Sequence, residues 1–140
     1  MYSEWIEGQQ RISFPQTWQI IKLDEHKYYK RISGLGVKAV DFLAIDPDWG
    51  LYLIELKDYP APAHIPTPEA QDKMLAEKLN GSIKLIKTAN AALRRQWYYR
   101  YIFIKLKIYR WCPIEWQIWQ KAEQYLKEGR YAIIGDFASE

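Results

Sequence analysis

The sequence predicts an α/β (α+β) protein in which a mixed central sheet is flanked by helices, in the order α-β-β-β-α-β-α-β. Two apolar runs, residues 37–45 and 51–57, are separated by five residues rich in turn formers, which is the pattern of a β-hairpin. Further along the chain, segments of helical spacing alternate with segments of strand pattern, which predicts helical crossovers and roughly parallel later strands. The 140 residues have the size of a single domain spanning residues 1–140.

The first half of the chain predicts one helix followed by three strands. The first dozen residues, with Trp5 and Ile6 among polar neighbours, predict a short helix that ends before Pro15. Residues 17–23 are rich in strand formers and predict the first strand. The hairpin at 37–57 supplies the second and third strands.

The second half alternates helices with strands. Four of the seven prolines lie between residues 60 and 68, which predicts an exposed loop. Apolar residues recur at helical spacing from 69 to about 93, and alternate from 102 to 108, which predicts a long helix and then a strand. Pro113 opens a second predicted helix that continues to about residue 128, and residues 131–137 predict the last strand.

Composition excludes several classes of protein. Hydrophobic residues make up 49% of the chain and charged residues 26%, which argues against disorder. No apolar run approaches the roughly 18 residues of a membrane span, and the first residues lack the pattern of a signal peptide, so we expect a cytoplasmic protein without membrane contact. One cysteine, Cys112, is expected to be structural, and His26 and His64 are expected at the surface. A metal bound by this chain would therefore be a hard cation held by oxygen atoms.

Positive charge is concentrated in one segment. Residues 73–110 carry ten Lys and Arg residues against a single acidic residue, Glu77. Such a segment, interleaved with aromatic residues, is suited to a phosphate backbone, although a solvated helix face explains the same pattern. The candidate nucleic-acid contacts are Lys84, Lys87, Arg94, Arg95 and Arg100.

Two carboxylates face each other across the predicted hairpin. A five-residue turn centred on Asp48 pairs residues whose numbers sum to 96, which places Asp41 opposite Glu55. Like charges in opposed positions destabilise a sheet unless a cation lies between them. Lys57, on the same face as Glu55, can supply part of that charge, and a divalent cation would supply more. The pattern is compatible either with a salt-bridged structural cluster or with a metal site.

In the second interpretation, Asp41 and Glu55 hold Mg²⁺ together with the main-chain carbonyl of Leu56. The metal would polarise a phosphate oxygen and lower the pKa of an attacking water. Lys57 would orient that water or stabilise charge in the transition state. These residue types are suited to phosphodiester hydrolysis.

The stretch Val40-Asp41, followed by a turn and then Ile54-Glu55-Leu56-Lys57, resembles the PD-(D/E)xK nuclease superfamily with its restriction-endonuclease-like fold. The resemblance implies a core of α-β-β-β-α-β order and a divalent-metal nuclease that acts mainly on DNA, with Mg²⁺ or alternatively Mn²⁺. Val40 stands where the superfamily often has proline. The acidic residue that many members carry on the first helix has no clear counterpart, and the candidates left open are Glu4, Glu7 and Glu25.

The expected function is therefore a Mg²⁺-dependent DNA endonuclease or nicking enzyme. The alternatives are a catalytically idle nucleic-acid-binding or protein-interaction module on the same fold, and an enzyme of unrelated small-molecule chemistry. No separate recognition domain is visible, so sequence specificity would require a homodimer or a partner subunit.

Overall fold

The computed structural model describes residues 2–104 and 114–139. Within these ranges the chain forms three helices and six strands, if short 3₁₀ turns are set aside. In chain order they are β1 (Tyr2–Glu7), β2 (Gln10–Pro15), β3 (Gln19–Lys22), α1 (Lys27–Ile32), β4 (Phe42–Asp46), β5 (Gly50–Tyr59), α2 (Pro68–Ile104), α3 (Ile114–Lys127) and β6 (Tyr131–Ser139).

The central sheet has four strands in the order β3-β4-β5-β6. Strands β3, β4 and β5 pair antiparallel, whereas β6 pairs parallel with β5 after the chain has passed through α2 and α3. The structure thus confirms a mixed α/β protein with a mixed sheet and helices. It also confirms the predicted hairpin register, since Leu43 pairs with Leu53 and Ile45 with Leu51.

The two faces of the sheet are covered by different elements because side chains alternate along each strand. One face packs against α2 and α3 through Leu43, Ile45, Leu51, Leu53, Leu85, Ile86, Ala89, Trp119 and Ala122. The other face carries Phe42, Ala44, Ile54 and Leu56, on which the β1–β2 hairpin lays Trp5, Ile12 and Phe14. Both faces are therefore apolar, which accounts for the nearly continuous apolar run in β4.

The helix predicted for the first dozen residues is wrong, because this segment forms the β1–β2 hairpin. Its side chains alternate between exposed and half-buried positions, which is the period of a strand rather than of a helix. Gly8 has a φ of 60°, which lets the chain turn between the two strands. The predicted element order is also wrong between the first two strands of the central sheet, where the short α1 intervenes.

Helix α2 is longer than predicted and continues through Ile104. The strand predicted over 102–108 is therefore wrong for 102–104, and the rest of it lies outside the described residues, as does Cys112. Helix growth adds a hydrogen bond for each residue fixed, so a helix that has started overrides the weak strand preference of alternating isoleucines. Neither α2 nor any other described helix has the combination of length and apolarity that a membrane span requires.

The remaining predicted elements are present in the described ranges. The proline-rich segment is a loop with one 3₁₀ turn, Pro62–His64, before Pro68 opens α2. Helix α3 ends before Gly129, whose φ of 71° terminates it, and β6 follows. The last strand thus lies where the sequence predicts it.

Helix α2 approaches the chain closely just before β4. A Cβ added to Gly81 would lie 1.6 Å from the carbonyl oxygen of Lys38. One residue further along α2, Ser82 Oγ accepts the N–H of Val40 at 3.0 Å and donates to the carbonyl of Lys78 at 2.7 Å. These contacts fix the backbone immediately before Asp41.

Candidate metal centre

Asp41 lies at the entrance to β4 and is only 7% exposed. The backbone N–H of Leu56 on β5 donates to Asp41 Oδ2 at 2.8 Å. The backbone N–H of Leu23, which follows β3, donates to the Asp41 carbonyl at 2.8 Å. Two neighbouring segments therefore hold this residue, and its carboxylate is almost removed from solvent.

Glu55 lies on β5, on the face covered by α2, and is fully buried. Its Oε1 is 2.5 Å from Lys78 Nζ and 3.6 Å from Lys57 Nζ. Its other oxygen, Oε2, is buried and has no hydrogen-bond partner. A buried carboxylate oxygen without a donor is stabilised by binding a cation or a proton.

The direct opposition of Asp41 and Glu55 stays a prediction, because regular pairing ends one residue short of them, although the charge of Glu55 acts on Asp41. The last paired residues are Phe42 and Ile54. Beyond this pair, the hydrogen bond from the Leu56 N–H to the Asp41 carboxylate connects the two segments. Whether the Leu56 carbonyl is a metal ligand stays a prediction.

Two further acids lie close to Asp41 and come from outside the β4–β5 hairpin. They are Glu7, at the end of β1, and Asp24, in the 3₁₀ turn Leu23–Glu25. One carboxylate oxygen from each of these acids and one from Asp41 lie within 4.8 Å of one another. This group of three acids could hold a metal ion. Glu55 is not a member of this group, but its charge acts on Asp41.

The structure chooses among the acids that the sequence left open. Glu7 joins Asp41, whereas Glu4 pairs with Arg11 and Glu25 pairs with Lys22.

The sequence pattern does not identify Asp24 as a residue of this site. Its signal lay in the register of β3 with β4, where Lys22 pairs with Phe42 and so directs the next residues toward Asp41. That register depends on a pairing between strands separated by a helix, which no local pattern specifies.

The electrostatics of the site favour binding of a proton or a cation. Burial raises the pKa of Asp41 to about 7, against the opposing hydrogen bond from Leu56, and the charges of Glu55, Glu7 and Asp24 raise it further. Burial and the charge of Glu7 also raise the pKa of Asp24. A divalent cation would compete with these protons for the same oxygens.

Lys22 holds the β1–β2 hairpin over this site. Its ammonium group is 3.0 Å from Glu7 Oε2 and from Glu25 Oε1, and it donates to the carbonyl of Ile6 at 3.1 Å. Burial acts to lower the pKa of Lys22, but the hydrogen bonds to Glu25 and Glu7 outweigh it, and the pKa is raised. Lys22 therefore stays charged and keeps Glu7 in place.

The two lysines beside Glu55 differ in exposure. The side chain of Lys57 is 41% exposed, whereas that of Lys78 is 14% exposed. Lys78 is thus the more buried partner of Glu55. Its role in the site depends on how α2 packs against β5, which helical spacing alone does not reveal.

The candidate nucleic-acid contacts lie along α2. Lys84, Lys87, Arg94 and Arg95 are exposed on this helix, and Arg100 belongs to it, with its side chain outside the described part. His64 is exposed, as expected. The surface position expected for His26 is wrong, because its side chain is 15% exposed and packs against Trp119 on α3.

Comparison of this chain with protein-family models, with curated proteins and with solved structures finds no significant match. Its function is therefore inferred from its own residues.

Proposed function

We propose that this chain is a metal-dependent nuclease of the PD-(D/E)xK type that hydrolyses phosphodiester bonds in DNA, by endonuclease or nicking activity. The observation that carries the proposal is the convergence of acids from the hairpin and its surroundings beside two lysines. Asp41 lies within reach of Glu7 and Asp24, and the buried Glu55 has one oxygen without a hydrogen-bond partner.

The topology of the sheet supports this class of fold. Three antiparallel strands are followed by a helical connection and a strand parallel to the third, which is the order β-β-β-α-β of the core that the resemblance implies. The chain departs from that core at its start, where a hairpin replaces the first helix, between β3 and β4, where the short α1 intervenes, and after α2, where α3 is added.

The donor set fits a hard divalent cation. Every candidate ligand is an oxygen. Glu7, Asp24 and Asp41 form one group of carboxylates, and Glu55 and the Leu56 carbonyl are the further ligands that the sequence predicts. Oxygen ligands of this kind are preferred by Mg²⁺ and also suit Mn²⁺. When bound, the metal supplies Lewis acidity toward a phosphate oxygen and toward water.

The two lysines beside Glu55 have different roles in this proposal. Lys78, largely buried against Glu55 Oε1, neutralises that carboxylate and keeps it in position. Lys57 lies 3.6 Å from the same oxygen and is more exposed, so its ammonium group can turn toward a phosphate or an attacking water. We assign to Lys57 the stabilisation of charge that develops in the transition state.

The exposed cations of α2 support DNA as the substrate. Beside them, a groove between residues 35–38 and α2 is lined by Lys38, Asn80 and Lys84, with Glu77 as its one acidic residue in the described part. Cations clustered on one helix attract a phosphate backbone without regard to sequence. A homodimer or partner subunit would then supply specificity.

The decisive experiment is a nicking assay on supercoiled DNA with Mg²⁺ or Mn²⁺, together with branched and single-stranded substrates. We expect metal-dependent cleavage by the parent and a loss of at least about 100-fold in Asp41→Asn, Glu55→Gln and Lys57→Ala. Glu69→Gln, at the exposed start of α2, is the matched control and should cleave like the parent.

Two results would contradict the proposal. Cleavage that survives both carboxylate substitutions would place the chemistry elsewhere. DNA binding without cleavage of any substrate by the parent would favour the idle nucleic-acid-binding module on the same fold.

A further inference from the structure

The position of Asp24 depends on its backbone turn. Oδ1 of Asp24 is buried and has no hydrogen-bond partner. Asp24 lies in the middle of the 3₁₀ turn Leu23–Glu25, so the position of this turn sets where its carboxylate lies. Whatever holds that turn sets the distance from Asp24 to Glu7 and Asp41.

One end of the turn is fixed to the metal centre itself. Leu23 is fully buried, and its N–H donates to the carbonyl of Asp41 at 2.8 Å. The other end is closed by His26, whose N–H donates to the carbonyl of Leu23 at 3.1 Å. His26 thus terminates the turn two residues after Asp24.

The ring of His26 uses both of its nitrogens. The N–H of Tyr28 lies 3.2 Å from Nδ1, and because an amide N–H can only donate, Nδ1 is the acceptor. The hydrogen is then on Nε2, which donates to Glu115 Oε1 at the start of α3. Glu115 Oε1 also accepts the indole N–H of Trp119 at 3.4 Å.

Aromatic rings flank the His26 side of this hydrogen bond, whereas the Glu115 side chain is 44% exposed. The ring of His26 stacks on Tyr28 with centroids 5.2 Å apart and meets the edge of Trp119 at 5.3 Å. Both aromatic side chains are almost completely buried. The contact is therefore shielded from water at the His26 end and connects α3 to the turn of Asp24.

We infer that His26 and Glu115 are positioning residues that clamp the Asp24 turn to α3 and thereby keep Asp24 within the ligand set of the metal centre. The inference rests on the proposed metal centre. It gives α3, which contributes no carboxylate to the group of three acids, a part in metal binding.

The test is Mn²⁺ binding without DNA, which is measured as the loss of the EPR signal of the free ion. We expect Glu115→Ala and His26→Ala each to weaken Mn²⁺ binding about tenfold, as substitutions of outer residues around metal ligands do. His26→Gln keeps a donor near the position of Nε2 and should bind within about threefold of the parent. Glu123→Ala, on the same helix, is the matched control and should bind like the parent.

A double-mutant cycle separates positioning from general stability. If the clamp acts through Asp24, the loss caused by Glu115→Ala should fall below about twofold in an Asp24→Asn background. A loss of the same size in both backgrounds, or a lower melting temperature with unchanged Mn²⁺ affinity, overturns the inference and leaves the metal centre standing. If His26→Ala does not fold, His26→Gln and Glu115→Ala decide the question. A parent that binds no Mn²⁺ overturns the metal centre and the inference together.

Discussion

At the scale of single residues, the centre is governed by the cost of burying charge. Glu55 is fully buried, and the two lysines that contact its Oε1 differ in how much water reaches them. Removing one partner of a buried pair leaves an uncompensated charge, whereas an exposed partner is replaced by solvent.

We therefore expect Lys78→Met to lower the free energy of unfolding by about 3–5 kcal/mol in metal-free buffer. Lys57→Met should change it by less than about 1 kcal/mol. Urea denaturation of both variants checks this difference, and the double variant with Glu55→Gln should recover much of the loss. Equal losses from the two lysine substitutions would show that Lys78 is not the partner that compensates Glu55.

The pH dependence of stability follows from Asp41. Its pKa is raised from 3.8 to about 7 in the folded protein, so below about pH 4 the group is protonated in both states and costs nothing. As pH rises from 4 to 7, the unfolded chain releases this proton freely while the folded chain retains it. The free energy of unfolding of the metal-free protein should therefore fall by up to about 4 kcal/mol across that window, at about 1.4 kcal/mol for each unit of pKa.

Urea denaturation of the parent and of Asp41→Asn at pH 4, 5, 6 and 7 measures this contribution. The difference between the two proteins isolates Asp41 from the other titrating groups. A difference that does not change with pH would mean that the carboxylate is solvated.

At the scale of elements, the centre depends on the crossing of α2 over the segment before β4. Gly81 allows this close approach, because a Cβ there would meet the carbonyl oxygen of Lys38 at 1.6 Å. The same segment leads directly into Asp41. Packing of one helix therefore determines where the first carboxylate lies.

Gly81→Ala should lower the free energy of unfolding by about 3 kcal/mol, because backbone atoms must move apart to admit the methyl group. Gly34→Ala is the control, since a Cβ at Gly34 would have no neighbour within 4 Å. Thermal denaturation of both variants measures the effect. A stabilised Gly81→Ala protein, as helix propensity alone would predict, would show that the two segments do not touch.

At the scale of the whole molecule, the carboxylates come from distant parts of the chain. Glu7 belongs to the hairpin that covers one face of the sheet, Asp24 follows the edge strand β3, and Asp41 precedes β4. A cation bound among them would connect the hairpin to the central sheet. Such a ligand binds only the folded state and therefore stabilises it.

Mg²⁺ at 100 times its dissociation constant should raise the stability of the parent by about 2.7 kcal/mol, visible as a higher melting temperature. Asp41→Asn and Glu55→Gln should both lose most of this increase. Without metal, Asp41→Asn removes a charge from a repelling group and can raise stability, whereas Glu55→Gln leaves the largely buried Lys78 without its partner and should lower it. Melting curves of the parent and both variants, recorded at increasing Mg²⁺ concentration, test both statements. Unchanged curves for the parent at millimolar Mg²⁺ would argue strongly against a metal centre.

The hairpin and its three charged residues could be predicted from local sequence. A five-residue turn sets the register of two adjacent strands, which the structure confirms between Phe42–Ile54 and Asp46–Gly50. Alternation beyond these pairs predicts that Asp41, Glu55 and Lys57 share one face. Proline and helical spacing likewise predict where α2 begins. Each of these features depends only on residues close together in the chain.

The rest of the centre was decided by tertiary structure. The sequence pattern of the first residues predicts a helix, whereas in the structure they form the β1–β2 hairpin that covers one apolar face of the sheet and brings in Glu7. Asp24 is placed by pairing between β3 and β4, and Lys78 by packing of α2 on β5. These contacts join segments separated by many residues, and their stability comes from the surface buried between elements, which short-range spacing does not encode.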